Sequence, residues 1–343
     1  MLVARLAGCA LKSPLNGALK IQITQSLKGS NLTFVRSFRE GGRGFTRRTQ
    51  ARVVEIQKAD KLGLKKKFGP LEVGQIAVAG GAALGLGALC YYGLGLSNEP
   101  GAIDRMYVWP DYVKARIRDT YMYFGASMTM TAASAVAIFR SPMGHRFFHL
   151  CAKHPIMSTV GVIAALIASG QAMMAIPYSP GLGTKQMMWL VNCGMIGLAV
   201  APVGIFGGAL AVRAAWYTAG IIGGLSSVAM CAPSEKFLTW GAPLGLGLGG
   251  VVIASLGSAF LPPTSAIGLS LYSISLYGGL ILFSAFLLYD TQKIVHKAES
   301  HPNMYGVRPY DPINASHHIV MDTVNIFVRI VQILALGGAG RRK

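Results

Sequence analysis

Ile267-Gly-Leu-Ser-Leu-Tyr-Ser-Ile-Ser-Leu-Tyr-Gly-Gly-Leu-Ile-Leu-Phe-Ser-Ala-Phe-Leu-Leu-Tyr-Asp290 decides the fold class. Its first 23 residues carry no charge before Asp290 closes the run. A helix needs about 20 mostly apolar residues to cross the hydrocarbon core of a bilayer. Comparable stretches lie at about 75–96, 120–139, 156–177, 187–212, 214–232, 241–261 and 313–336. Arg213 separates the fourth span from the fifth, and Pro262-Pro263 ends the sixth. Composition agrees: 52% of residues are hydrophobic and 13% charged, against roughly 25% charged in soluble domains. Mean hydropathy is positive. The expected architecture is therefore an all-α polytopic membrane helix bundle.

Work outward from that run leads to short linkers, the longest being 97–119. No loop could hold a soluble catalytic domain. Lys65-Lys66-Lys67 precede the set of spans and Arg341-Arg342-Lys343 follow it. Basic flanks at both ends fit an even number of crossings with both termini on one side. Small-residue pairs at Gly81/Gly85, Gly220/Gly224, Gly241/Gly245 and Gly245/Gly249 read as helix contacts. Gly245-Leu-Gly-Leu-Gly-Gly250 sits inside an apolar span and follows no strand, so it is not read as a phosphate loop.

The formal net charge is +19. Nucleic-acid binding would need basic residues interleaved with aromatics on a folded surface. Here the excess falls mostly in the first 67 residues, and no acid precedes Glu40. An acid-free, Arg/Lys- and Ser-rich N-terminus resembles a mitochondrial transit peptide. The expected organisation is a basic segment over 1–67, a first span with its linker over 68–119, and a helix bundle over 120–343. Cys9, Cys90, Cys151, Cys193 and Cys231 are scattered singly and read as small buried hydrophobes. His145, His149, Cys151 and His154 share a connector with Arg140, Arg146 and Lys153, whose charges would repel a metal. That segment reads as a basic interfacial loop.

From Thr120 onward there are five acids, and only Asp290 and Asp322 lie in or at the edge of apolar helices. A charge at mid-membrane costs at least ~2.5–3.5 kcal/mol. Such a residue needs a partner, a watery cavity or a cation. Two carboxylates brought together cannot both ionise cheaply, so they hold a proton between them and titrate as a unit. They also offer the hard oxygens that calcium prefers. The residues alone leave a second reading open: Asp290 sits at an interfacial helix end, and Asp322 pairs with Arg329 or another helix. His318 is one turn from Asp322 and could relay protons. Asn325 could orient Asp322 from the other side. No G-x-S-x-G, H-E-x-x-H or Walker loop occurs, and the chain is not read as an enzyme.

Leu287-Leu-Tyr-Asp-Thr-Gln-Lys-Ile294, Tyr310-Asp-Pro-Ile-Asn314 and Met321-Asp-Thr-Val-Asn-Ile-Phe327 resemble the signature of the transmembrane BAX inhibitor motif family. Ala214-Ala-Trp-Tyr-Thr-Ala-Gly220, Met230-Cys-Ala-Pro-Ser-Glu-Lys-Phe237 and Phe260-Leu-Pro-Pro-Thr264 are similar to its mitochondrial member. The resemblance implies a seven-helix core from Thr120 onward plus one N-terminal transmembrane helix. It implies a di-aspartyl, pH-sensitive calcium pathway at Asp290 and Asp322. By the same resemblance the location is the mitochondrial inner membrane, with calcium/proton exchange, cristae organisation and apoptosis control as functions. Bacterial relatives latch the aspartates with an arginine near the end of the second core helix; residues 156–178 contain no Lys or Arg.

The expected partners are the lipid bilayer, calcium ions and protons, and inner-membrane proteins, with no nucleic acid and no cofactor. Calcium enters as cargo. Two alternatives stand beside the exchanger: a passive pH-gated calcium leak, and a structural or interaction protein acting on cristae and cell death without transport.

Overall fold

The computed structural model describes residues 69–93, 101–233, 236–261, 265–302, 304 and 308–339. The basic segment expected over 1–67 lies outside them. Among the described residues, eight helices are long and apolar enough to cross a membrane. They are α1 (Pro70–Gly93), α2 (Asp111–Arg140), α3 (Pro155–Ala175), α4 (Thr184–Val200), α5 (Gly208–Cys231), α6 (Gly241–Phe260), α7 (Ala266–Ser300) and α8 (Pro312–Ala339). The polytopic all-α bundle read from the apolar runs is the fold.

Successive spans run in opposite directions, which gathers residues 101–120, 176–186, 229–240 and 292–311 at one end. Trp109 Nε1 donates to Glu299 at 2.6 Å, and Arg116 donates to the Ala298 and His301 carbonyls. Gln292 is buried; its carbonyl accepts from the Phe237 N–H, and its amide donates to the Pro233 carbonyl. We refer to this as the acidic end. The opposite end carries the starts of α1, α3, α5 and α7 and the finish of α8.

α8 is the central helix, packing on α2, α4, α5 and α7. Ile319 and Ile326 are fully buried in a core shared with Leu287 and Ile294 of α7 and Ala214 of α5. α1, by contrast, buries only Gly74. It attaches through Ser273 Oγ, which donates to the Pro70 carbonyl at 2.5 Å.

Several boundaries differ from the sequence reading for identifiable reasons. The fourth span does not run to Val212. Pro202 has no N–H for the helical ladder, so the chain tightens into a 3-10 turn over Ala201–Phe206. Gly207 then turns at φ +95°, a backbone that favours glycine. Arg213 lies inside α5 rather than between spans. α7 continues ten residues past Asp290 because Ile294, Val295 and Ala298 keep burying one face. The connector at 141–154 is not a loop but a helix, Pro142–Lys153.

The glycine pairs need partial correction. A side-chain carbon added at Gly81, Gly85 or Gly241 would meet Ile281, Leu225 or Tyr289 at 4.0, 3.9 and 3.2 Å, so these face neighbouring helices, but at Gly220, Gly224, Gly245 or Gly249 it would meet open space. The tightest approaches fall elsewhere: at Gly197 it would sit 1.8 Å from Ser134 Oγ, and at Gly204 2.7 Å from the Phe139 ring. Of the described cysteines only Cys193 is buried, while Cys90 is exposed.

Two cations, Lys185 buried and Arg329 half-buried, shape the bundle. Lys185, whose side chain has no exposure, pairs with Asp311 and donates to the Ile176 carbonyl at 2.8 Å. Asp311 in turn accepts from the Asn314 N–H and so caps α8. Arg329 sits deeper, where Ile274–Gly278 forms a π-turn in α7. It donates to the Asn325 carbonyl and Oδ1 and, at 3.4 Å, to the Ser275 carbonyl. Its guanidinium lies 4.6 Å from the Phe283 ring centre. Gly279 makes the space: an added methyl would be 2.1 Å from Arg329 Nε.

Losing one partner of a buried ion pair leaves an uncompensated charge and costs about 3–5 kcal/mol. Asp311→Asn should therefore lower the thermal midpoint in detergent strongly, and Asp311→Asn/Lys185→Met should recover part of the loss; no recovery would mean the pair is not coupled. Gly279→Ala should cost about 2 kcal/mol by overpacking. Gly278→Ala, whose nearest neighbour is 3.7 Å away, should be close to neutral in the same melt.

Candidate functional site

α7 and α8 are antiparallel neighbours, which fixes the depth of the two aspartates. Asp290 lies ten residues before the end of α7 and Asp322 ten after the start of α8. At 1.5 Å per residue both are about 15 Å from the acidic end. The helices bring them together: each carboxyl is close enough to act on the other. Residue exposures are 6% and 5%, so both are removed from bulk water. Asp290 is therefore not at an interfacial helix end.

The surroundings are dry on three sides. Leu287 and Ile294 flank Asp290 on α7, and Ile319 and Ile326 flank Asp322 on α8. Thr291 and Thr323 are fully occupied, donating back to the Leu287 and Ile319 carbonyls. Asp322 Oδ2 is buried with no hydrogen-bond partner. A buried unpartnered carboxyl oxygen is costly and asks for a proton or a cation.

The fourth side opens. A small cleft is lined by Asp290, Lys293, Ile294, Lys297, Asn314, Ala315 and His318. Lys293 Nζ is 3.9 Å from Asp290 Oδ1 and also faces the Tyr289 ring at 5.4 Å. Asp290 thus forms the cleft floor, with Asp322 behind it. At the acidic end, burial holds the Tyr310 phenol above its ordinary value. Its hydroxyl shares a 3.0 Å hydrogen bond with Thr120, which joins the α8 approach to α2.

The expected supporting residues are distributed differently. Asn325 does not orient Asp322: its amide donates to the Met321 carbonyl and its oxygen accepts from Arg329. Arg329 pairs with none of the described carboxylates, so the alternative Asp322–Arg329 pair is not formed. His318 is exposed on the cleft wall beside Asp290, and no hydrogen bond joins it to Asp322. Lys293 went unnoticed in the sequence, although its i,i+3 spacing from Asp290 signals a shared face.

Chemically, the site can hold one proton between two acids and can present up to four carboxylate oxygens to a cation. Among the described residues, no three metal-ligating side chains come together. Calcium takes six to eight oxygens, so carbonyls or water would have to complete its shell.

The comparisons with known proteins fit this architecture. A family described as "Inhibitor of apoptosis-promoting Bax1" matches residues 113–339. The growth hormone-inducible transmembrane protein of Rattus norvegicus is 55% identical over 280 residues, covering 82% of this chain and 80% of that one. An uncharacterized protein of Helicobacter pylori is 26% identical over 230 residues, 64% of this chain and 86% of its own. Bax inhibitor 1 of Homo sapiens is 25% identical over 234 residues, 66% of this chain and 88% of its own. No solved structure matches. A described bundle of membrane-length helices, matched from α2 through α8 by that family's pattern, belongs to the Bax inhibitor family.

Proposed function

We propose that this chain carries calcium through the bundle in exchange for protons, with Asp290 and Asp322 as the shared binding point. The observation that carries the reading is the approach of two buried carboxyls, Asp290 lining an open cleft and Asp322 next to it. Two unit charges about 4 Å apart interact by roughly 4 kcal/mol at an effective dielectric of 20. Lys293 can therefore offset one aspartate charge but not two. The second carboxylate needs a proton or an arriving divalent cation. Proton release and cation binding are then alternatives at one place, which is what couples their movements.

The mitochondrial inner membrane is the proposed location, supported by the basic, acid-poor N-terminus. A role in cell-death control is supported by the description of the family and by the name of its human relative Bax inhibitor 1. Cristae organisation belongs to the same proposal. Inner-membrane proteins are the proposed partners for both. No catalytic residue is assigned.

The ion pair between Lys293 and Asp290 favours a second reading. A cleft already balanced by its own lysine needs no cation, and the chain would then act through protein partners. Purified protein in vesicles separates the two. Calcium uptake should rise with external pH, because protons and calcium compete for the same oxygens, and should move protons in fixed proportion. Asp322→Asn should cut uptake about tenfold, the scale of one lost strong ligand, and should flatten its pH dependence. Undiminished, pH-sensitive uptake by Asp322→Asn would reject the proposal. Uptake without proton movement would make the chain a leak. Lys293→Met should lower the calcium concentration for half-maximal uptake severalfold, since an internal competitor is removed.

A further inference from the structure

Acids gather at one end of the bundle. The acidic end carries Asp104, Asp111, Asp119, Glu299 and Asp311, interspersed with Arg105, Lys114, Arg116, Arg118 and Lys297, whereas the opposite end has only Glu72 among the described acids. No acidic residue occurs between 120 and 234. Arg140, Arg146, Lys153 and Arg213 lie at that acid-poor end.

At that end sits the helix Pro142–Lys153, strung between the finish of α2 and the start of α3. It is a deliberate start rather than a frayed turn. Ser141 Oγ accepts from the Gly144 N–H at 2.9 Å, and proline occupies the first helical position. Gly144 seats it on α2, since a side-chain carbon there would be 1.9 Å from the Ile138 carbonyl. With 100° per residue, Leu150, Met143, Phe147 and Cys151 fall within an arc of about 100°. His145, His149, Lys153 and Arg146 fall within a second, opposed arc of about the same width.

Both faces are only partly covered by the protein: Phe147 and Cys151 are half-buried, and His145 meets the Phe139 ring of α2. The helix packs on α2 and α3, the spans it joins. Met143 is 80% exposed and Leu150 60%. Among the described residues, neither Arg146 nor Lys153 is in an ion pair. Both ends of the helix enter membrane spans, so it can lie nowhere but at the bilayer boundary. An apolar stripe opposed by a wholly basic one suits a plane where acyl chains give way to negatively charged headgroups.

We propose that Pro142–Lys153 is an anionic-phospholipid binding helix at the acid-poor end of the bundle. Met143, Phe147 and Leu150 enter the acyl boundary, and Arg146 and Lys153 hold lipid phosphates. The inference is independent of transport at the aspartate pair.

The test uses the full chain in vesicles of phosphatidylcholine, with or without added phosphatidylglycerol. A spin label at Met143→Cys, in a background lacking the other cysteines, should be reached by oxygen and shielded from a water-soluble nickel complex. A label at Arg146→Cys should show the reverse. From mixed vesicles, native protein should retain phosphatidylglycerol preferentially, and Arg146→Glu/Lys153→Glu should lose that preference on the order of tenfold. Lys114→Glu/Arg118→Glu, the same charge change at the acidic end, should leave it intact. A Met143→Cys label open to the nickel complex would overturn the proposal, as would equal lipid loss in both charge-reversed variants. The Met143→Cys label leaves the basic residues untouched and stands even if the charge-reversed chain fails to assemble.

Discussion

The contact between Asp290 and Asp322 is the constraint on which the rest of the bundle depends. Two acids in an apolar interior are tolerable only if their environment supplies a counter-charge, a proton or water. The structure supplies Lys293 at 3.9 Å, an open cleft, and the other acid. That arrangement requires α7 and α8 to hold one register. A shift of a single residue would rotate one carboxyl by about 100° and move it 1.5 Å along the axis.

Polar locks at the acidic end keep that register. Gln292, two residues after Asp290, ties α7 to the end of α5 and the chain leading to α6. Asp311, just before α8, is tied to Lys185 at the start of α4. Arg116 of α2 closes on the last carbonyls of α7. Apolar packing between helices in lipid has little directional preference, because tails and leucines are equally apolar. Hydrogen bonds and buried ion pairs do discriminate, and here they cluster where α7 ends and α8 begins. Arg329 adds a further fixed charge, seven residues and about 10 Å beyond Asp322 on the same helix. The aspartate pair thus lies between Lys293 at the cleft and a half-buried guanidinium further along α8.

Much of this was legible in the chain, but unevenly. Long uncharged runs announced the spans, because a bilayer demands length and apolarity from each segment separately. Asp290 and Asp322 stood out for the same reason, and their equal depth follows once the two helices are antiparallel. Segment ends were less legible. Residues 291–300 read as polar, yet Ile294, Val295 and Ala298 are buried against neighbouring elements. Partners distant in sequence were not legible at all. Nothing near Lys185 in the sequence marks its acid, which lies 126 residues away. Likewise, whether a glycine is a contact depends on what faces it: Gly197 and Gly279 meet Ser134 and Arg329, while Gly220 and Gly224 meet nothing.

A carboxyl pair sharing a proton has a direct spectroscopic signature, the carbonyl stretch of a protonated acid shielded from water. Infrared difference spectra of the reconstituted chain, recorded with and without calcium, test the central claim most directly. A protonated-acid band that disappears when calcium is added, and is altered in both Asp290→Asn and Asp322→Asn, is the predicted result. A calcium-insensitive spectrum, or a band that survives unchanged in either variant, would contradict a shared proton exchanged for a cation.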